Sequence, residues 1–337
     1  MYDYIIFTHI PAFYKVNLYN ELSKKLKIHV VFISEGTKEK RSDDFLTLDK
    51  AKFSYQVLSK GNFQERNLYK CIYMIRKILL DNRCKKVLLN GWDLMEFWYI
   101  ALFYKKEKNC LALESTIFES SSHGLKGLIK TFFLSYIERV YASGNLHVAL
   151  LEKLKYKGDI RITKGVGIIN KPAFMRRERN FEGKFLYVGR LTTVKNLEML
   201  IEVFNELPNK KLTIVGDGEQ KEILESIANK NITFFSSIKN CNISDIFLNH
   251  DVFILPSISE PWGLVIEEAL YFGLPVFVSN RCGASIFVND DINSVVFSAD
   301  DKENLKDKIE FYDLHIKPEN SCIISNKDVH QIECYYE

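Results

Sequence analysis

The sequence predicts an α/β protein made of two open, doubly wound parallel sheets. Three observations carry that prediction. At 337 residues the chain is long for one core and typical of two. Short apolar runs alternate with helical periods from residue 3 to 163, pause, and resume at 184. Residues 251–279, DVFILPSISEPWGLVIEEALYFGLPVFVS, read as strand, loop, helix, strand, the crossover unit of a parallel sheet.

Residues 3–8 form the first expected strand, short and rich in Ile and Phe as a buried parallel strand should be. A loop with Pro11 leads to a helix over 16–26, with Leu18, Leu22 and Leu26 on one face. Strands over 28–34 and 52–58 flank a polar, lysine-rich loop. A helix over 64–80 follows the period of Leu68, Ile72, Ile75 and Leu79. Next come a strand over 85–90, an aromatic-rich helix over 94–106 and a strand over 109–115. Helices over 124–138 and 145–156 alternate with strands over 139–143 and 159–163. Residues 165–183, with Gly165, Gly167, Pro172, Arg176, Arg177 and Arg179, read as a linker between domains 1–170 and 171–312. The alternation restarts with strand 184–189, helix 196–207, strand 211–216, helix 219–229, strand 231–235 and a short helix near 243–249. After about residue 313 the periodicity weakens, and 313–337 is set apart as a C-terminal segment.

Composition narrows the class. With 47% hydrophobic and 26% charged residues the chain is an ordinary globular protein. Its seven cysteines form no C-x-x-C pair, which argues against a disulfide framework and a zinc site and suits a reducing cytoplasm. The first ten residues lack the basic and long apolar regions of a signal peptide. The apolar run Phe97–Tyr104 is too short to span a bilayer, so a soluble or peripheral protein is expected. The net charge of +3 hides an asymmetry, because residues 1–170 carry +11 and the remainder −8. A basic half suits an anionic partner. Nothing resembles a zinc-finger or RNP-like segment, so no nucleic acid is expected, and an anionic membrane surface fits better. Lys24, Lys25, Lys27, Lys105, Lys106, Lys108, Lys126 and Lys130 alternate with apolar residues; the bland alternative is solvated helix faces.

Two stretches carry chemistry. Ligands of open α/β sheets sit beyond the C-terminal strand ends. In the first stretch that end is the loop Ser257–Gly263. Gly263 lets a ligand approach the backbone. The amides of Gly263, Leu264 and Val265 at the helix start make an anion site suited to phosphate. Glu260 and Glu268 flank it, and Glu268, one to two turns into the helix, can accept two hydrogen bonds from a diol such as a ribose. A helix with ordinary surface glutamates is the bland alternative, and for Glu267 alone it is the reading. The second stretch, Gly189 to Asn196 (GRLTTVKN), also joins a strand to a helix. There Arg190 offers a planar fork and Lys195 a mobile point charge to an anion. A third stretch, Val215-Gly216-Asp217-Gly218-Glu219, fails the dinucleotide fingerprint because its third glycine would fall at Lys221. It reads as a strand-to-helix turn.

The pattern E-x-x-G-x-x-x-x-E-A-x-x-x-G-x-P-V stands here as Glu260, Gly263, Glu268, Ala269, Gly273, Pro275 and Val276. It resembles the donor-site signature of family-4 glycosyltransferases of the bacterial surface-polysaccharide type. G-R-x-x-x-x-K-N, from Gly189, resembles the same family's pyrophosphate loop. Trp262 replaces the usual Phe, Cys282-Gly283 a glycine pair, and Ser236 a glycine. The resemblance implies a GT-B fold, two Rossmann-like domains facing each other across a cleft, with the last helix crossing back through residues 328–336. It assigns acceptor binding to 1–170 and donor binding to 171–312. Backbone contacts to the nucleobase fall on Ser236–Lys239, with Ile238 among them. It implies transfer of a sugar, with retention, from a nucleotide-sugar (a UDP-sugar favoured over a GDP-sugar) to a saccharide or polyprenyl-linked acceptor. Lipopolysaccharide O-antigen or capsule synthesis, in the cytoplasm or on the inner membrane face, is the implied setting.

In that scheme the leaving diphosphate takes the acceptor proton, Arg190 and Lys195 stabilise its charge, and Glu260 orients the sugar. No D-x-D occurs, so no essential metal or other cofactor is expected. In the first domain His9, Tyr14, Trp92, Asp93, Glu114 and His123 are the acceptor-side candidates. The loop from His9 to Lys15, the Gly91-Trp92-Asp93 turn and Glu114-Ser115 resemble elements of one subgroup. A nucleotide-sugar 2-epimerase and a non-catalytic scaffold subunit are the rival readings.

Overall fold

The computed structural model describes residues 1–39, 44–175, 181–238, 243–288, 294–312 and 321–336. The chain divides into two compact units, Met1–Asn170 with Asp328–Glu337, and Lys171–Lys327. Arg176, Arg177 and Arg179 of the expected linker, Lys239, and residues 313–320 of the C-terminal segment lie outside the described residues.

The first unit contains strands β1 (Tyr2–Thr8), β2 (Ile28–Gly36), β3 (Ser54–Asn62), β4 (Cys84–Leu89), β5 (Asn109–Leu113), β6 (Arg139–Ala142) and β7 (Asp159–Ile162). Its helices are α1 (Phe13–Leu22), α2 (Leu68–Asp81), α3 (Met95–Phe103), α4 (Gly124–Leu134) and α5 (Asn145–Lys153). The strands form one parallel sheet in the order β3-β2-β1-β4-β5-β6-β7. Alternation along each strand sends side chains to opposite faces. Ile5, Phe7, Val31 and Ile33 pack with Cys71, Ile75, Phe97 and Ile100 of α2 and α3. Tyr4, Ile6, Val30 and Phe32 pack with Val16, Leu18 and Leu22 of α1. A sheet covered on both faces explains why its strands read as continuous apolar runs.

The second unit repeats the plan with β8 (Lys184–Val188), β9 (Lys211–Val215), β10 (Ile232–Phe235), β11 (Val252–Leu255), β12 (Val276–Ser279) and β13 (Val295–Phe297). Helices α6 (Leu197–Glu206), α7 (Lys221–Ile227), α8 (Ile243–Leu248), α9 (Leu264–Tyr271) and α10 (Lys302–Glu310) join or flank them. The order is β10-β9-β8-β11-β12-β13, again all parallel. A last helix, α11 (Ser321–Glu333), starts in the second unit, and from Asp328 onward it clusters with the first. There Tyr335 stacks on Tyr141 at 4.5 Å, and Arg161 donates to the carbonyls of Cys334 and Tyr336.

Several expected boundaries move. Helix α1 begins at Phe13 rather than Val16, because extended Ala12 directly precedes it and the Ala12 carbonyl accepts the amide of Val16 at 3.0 Å. It also stops at Leu22, four residues early. The buried stripe of α2 is Cys71, Ile75 and Ile78; Leu68, Ile72 and Leu79 lie half-buried beside it. β13 and α10 have no counterpart in the sequence reading.

Candidate functional site

In each sheet the strand order reverses direction once, at β1/β4 and at β8/β11. Loops leaving such neighbouring strands diverge and open a crevice at the carboxyl edge. This places the two chemistry-bearing stretches of the second unit side by side. Gly189–Asn196 leaves β8, and Ser257–Gly263 leaves β11, paired to β8 through Val252–Phe185 and Phe253–Leu186. The loops are tied by the Ile258 amide, which donates to the Val194 carbonyl at 3.0 Å.

The principal contact is an ion pair between Lys195 and Glu260, each side chain 13% exposed. The Ser257 hydroxyl donates to the same Glu260 oxygen at 3.4 Å. Glu260 is further held through its backbone, its amide donating to the Arg281 carbonyl and its carbonyl accepting from the Gly283 amide. An ammonium has three donors, so Lys195 can hold Glu260 and an anion together. Arg190 is exposed on the same loop, and its carbonyl accepts the Tyr187 hydroxyl at 2.8 Å. Burial, and then the Glu260 charge, push the Tyr187 phenol well above its ordinary range, so it stays a neutral donor.

Helix α9 begins at Gly263, with φ +92°, and no side chain among the described residues caps it. Its first amides therefore retain the donor capacity that suits an anion. The glycine has a different reason from the one expected. A Cβ there would lie 3.1 Å from Cys282 Sγ and 3.2 Å from both Leu255 and Ile266. The space is filled by the protein's own side chains, so conformation and packing already require the glycine. Cys282 also accounts for the departure from a glycine pair, since its Sγ donates to the Trp262 carbonyl at 3.0 Å. Glu268 is half-buried, on the second turn of α9.

Glu267 corrects the reading outright. It is not a surface glutamate: it is fully buried, accepting Trp262 Nε1 at 2.6 Å and Lys327 Nζ at 2.7 Å. Lys327 lies sixty residues on, in a segment of weak periodicity, and no local pattern pointed to it.

The Gly216–Gly218 stretch is a turn after β9, as expected. A Cβ on Gly216 would strike the Gly189 carbonyl at 1.8 Å, and one on Gly218 the Leu191 carbonyl at 2.2 Å. Close passage of the Arg190 loop thus accounts for both glycines. Asp217 accepts the Ser237 amide at 2.9 Å, and that bond holds its carboxyl down at about 2. This fixes the segment Ser236–Ser237, next to half-buried Ile238.

In the first unit the reversal brings together residues that the sequence named separately. His9 follows β1, Asp93 follows β4, and His9 Nε2 lies 2.8 Å from Asp93 Oδ2. Phe97 meets the His9 ring edge-on at 5.3 Å. Gly91, with φ +118°, sits against the pair, where a Cβ would come within 2.7 Å of Asp93 Oδ1. Lys15, buried at the start of α1, donates to Asn90 Oδ1 at 3.0 Å and pairs with Glu114, which follows β5. Lys15 and Asn90 were not among the named candidates; the signal was a lysine set among the core positions Phe13, Val16 and Leu18 of α1. Tyr14 is half-buried, its carbonyl accepting the Ile168 amide. The Trp92 carbonyl accepts the Trp98 indole at 2.8 Å, and Lys130 sits over the Trp92 ring. His123 is exposed and bonds to its neighbour Ser122; no contact joins it to His9 or Glu114 among the described residues.

Two Rossmann-like parallel-sheet units, with paired basic and acidic loops at the switch point of the second, define a GT-B glycosyltransferase fold. Residues 173–321 match the family described as Glycosyl transferases group 1. Sulfoquinovosyl transferase SQD2 of Arabidopsis thaliana is 35% identical over 107 residues, 32% of this chain, which thus spans about a fifth (21%) of that relative. Over whole chains the fold is similar to the lipopolysaccharide outer core galactosyltransferase WaaB, with TM-score 0.70 and 16% identity, covering 98% of this chain and 97% of that one. It is also similar to Anabaena Alr3699/HepE in complex with UDP and glucose, with TM-score 0.72 and 12% identity, covering 99% and 98%.

Proposed function

We propose that this protein transfers a hexose, with retention, from a nucleotide-sugar to a saccharide or lipid-linked saccharide acceptor in the synthesis of a bacterial surface polysaccharide. The observation that carries the reading is the Lys195–Glu260 pair, on a loop that also carries exposed Arg190, beside the uncapped start of α9. Basic side chains and helix-start amides suit an anion there, and the carboxylates suit hydroxyls. UDP is the favoured nucleotide, supported by its presence in the complex of HepE, a protein of similar fold. The setting takes its support from WaaB, a lipopolysaccharide outer core galactosyltransferase of similar fold.

In the proposed step an acceptor hydroxyl oxygen bonds to the anomeric carbon while the bond from that carbon to the diphosphate oxygen breaks. The electron pair leaves with the diphosphate, and the acceptor proton passes to a diphosphate oxygen. Arg190, Lys195 and the α9 amides stabilise the charge that develops. Glu260 binds sugar hydroxyls and orients the anomeric carbon, while Glu268 binds the ribose. The first unit, with its His9–Asp93 and Lys15–Glu114 pairs, supplies acceptor contacts. A thermal-shift screen against UDP-, GDP-, ADP- and CMP-sugars, followed by product analysis, tests the reading. Slow hydrolysis of the donor alone supports transfer. Free epimer supports a 2-epimerase instead, and no shift with any nucleotide-sugar supports a non-catalytic subunit.

The diphosphate charge is met by protein cations, so the enzyme needs no metal. Transfer survives excess EDTA; abolition by EDTA with rescue by Mn²⁺ or Mg²⁺ overturns this point.

With a lipid-linked acceptor, the enzyme would work at the inner face of the cytoplasmic membrane. No helix among the described residues is long and apolar enough to cross a membrane. Helix α4 offers a surface for docking. Leu125 and Leu128 are 73% and 69% exposed, and Ile129 and Phe132 are exposed beside them. Spaced at i, i+3, i+4 and i+7, they form one stripe. Lys126 and Lys130 share the helix, and the +11 charge of residues 1–170 matches an anionic lipid surface. Vesicles containing anionic lipid should bind the protein, less so as salt rises, because exposed charges are screened beyond roughly 10 Å at 0.1 M. Leu128→Asp with Phe132→Asp should abolish binding, since burying each such side chain is worth about 1.5–3 kcal/mol. Equal binding to neutral and anionic vesicles, or retention of binding by the double variant, removes this surface; self-association through the stripe, seen by light scattering, assigns it to a second copy.

A further inference from the structure

Glu267 and Lys327 form an ion pair withdrawn from water, at 0% and 2% exposure. Such a pair is a poor device for stability, because the cost of stripping two charges of water rivals their attraction. Its geometry points to another use. One Glu267 oxygen takes the ammonium and the other takes the indole N–H of Trp262. A buried indole N–H needs an acceptor, and a carboxylate is a strong one. Lys327 supplies the counter-charge to that carboxylate inside the core.

Trp262 is fixed from its other sides too. Its carbonyl accepts the Ala284 amide at 2.9 Å and Cys282 Sγ at 3.0 Å, and its ring meets Phe287 edge-on at 5.7 Å. It stands two residues after Glu260 and immediately before Gly263, so its placement governs both the carboxylate and the first amides of α9. We infer that Glu267 and Lys327 are positioning residues that clamp Trp262 and thereby hold the Ser257–Gly263 loop in the geometry that donor binding uses. The consequence for catalysis rests on the proposed donor site; the clamp itself does not.

Removing one partner leaves a buried charge, so Lys327→Met alone is expected to unfold at lower temperature and decides little. Two double variants separate positioning from stability. Glu267→Gln with Lys327→Met removes both charges and keeps an oxygen for the indole. Glu267→Leu with Lys327→Met removes both charges and the acceptor. Both doubles should unfold within roughly 5 °C of the natural protein. Amide hydrogen exchange over residues 257–266 should match the natural protein in the Gln/Met double and run about tenfold faster or more in the Leu/Met double. With UDP-glucose as the probe, kcat should stay within about threefold in the first and fall about tenfold or more in the second. Matching exchange and turnover in the two doubles would overturn the inference while leaving the donor site intact. If exchange separates them but the natural protein turns over no nucleotide-sugar, the clamp stands and the donor-site reading falls.

Discussion

Arg190→Ala and Lys195→Ala each lower transfer by about one to two orders of magnitude or more while the fold stays intact. A charge-assisted bond to an anion is worth about 1.5–3 kcal/mol, and each 1.4 kcal/mol is about tenfold in rate. The two should differ in stability. Arg190 is exposed, so its truncation disturbs nothing packed. Lys195 holds Glu260 at 13% exposure, so its loss leaves a carboxylate short of its counter-ion and lowers the unfolding temperature as well. Steady-state rates beside thermal melts check both points, and near-normal turnover in both variants removes the phosphate assignment.

Much of the fold was legible because buried parallel strands announce themselves. Runs such as IIFT, VVFIS and VFIL are continuous and predominantly apolar, and each lies in its sheet at 0–2% exposure. Boundaries were less legible, since helix ends depend on local turns such as Ala12 at the head of α1. β13 has only three residues, and α10 is predominantly charged, so neither offers a clear period.

The candidate site was legible as separate loops but not as an assembly. Lys195 and Glu260 were each named, yet their contact follows from β8 lying beside β11, and strand order does not show in a single sequence. His9 and Asp93 meet for the same reason, through β1 beside β4. Gly263 was singled out on a ligand argument, while the structure requires it for its positive φ and for Cys282, Leu255 and Ile266. Glu267 was misread because what buries it, Trp262 and Lys327, lies partly sixty residues away.

The second large effect separates the two glutamates of the donor motif. Glu260 stands before α9 and is paired with Lys195, nearer the reacting sugar in the proposed arrangement. Its truncation should lower kcat while leaving nucleoside diphosphate affinity nearly unchanged, because its interaction is spent on orienting the sugar. Glu268 lies on the second turn of α9, past the anion site. Truncating it should weaken free nucleoside diphosphate and full donor alike, by about tenfold to a hundredfold for bonds of about 1.5–3 kcal/mol. Equal loss of nucleoside diphosphate affinity in both variants would show the division of labour to be wrong.

Calorimetric titration of the intact protein with UDP, in buffer containing EDTA, tests the central claim most directly. The account predicts one site, about tenfold or more weaker in Glu268→Ala and unchanged in Glu260→Ala. Absence of UDP binding by the natural protein, or binding that neither Glu268→Ala nor Arg190→Ala weakens, would contradict it.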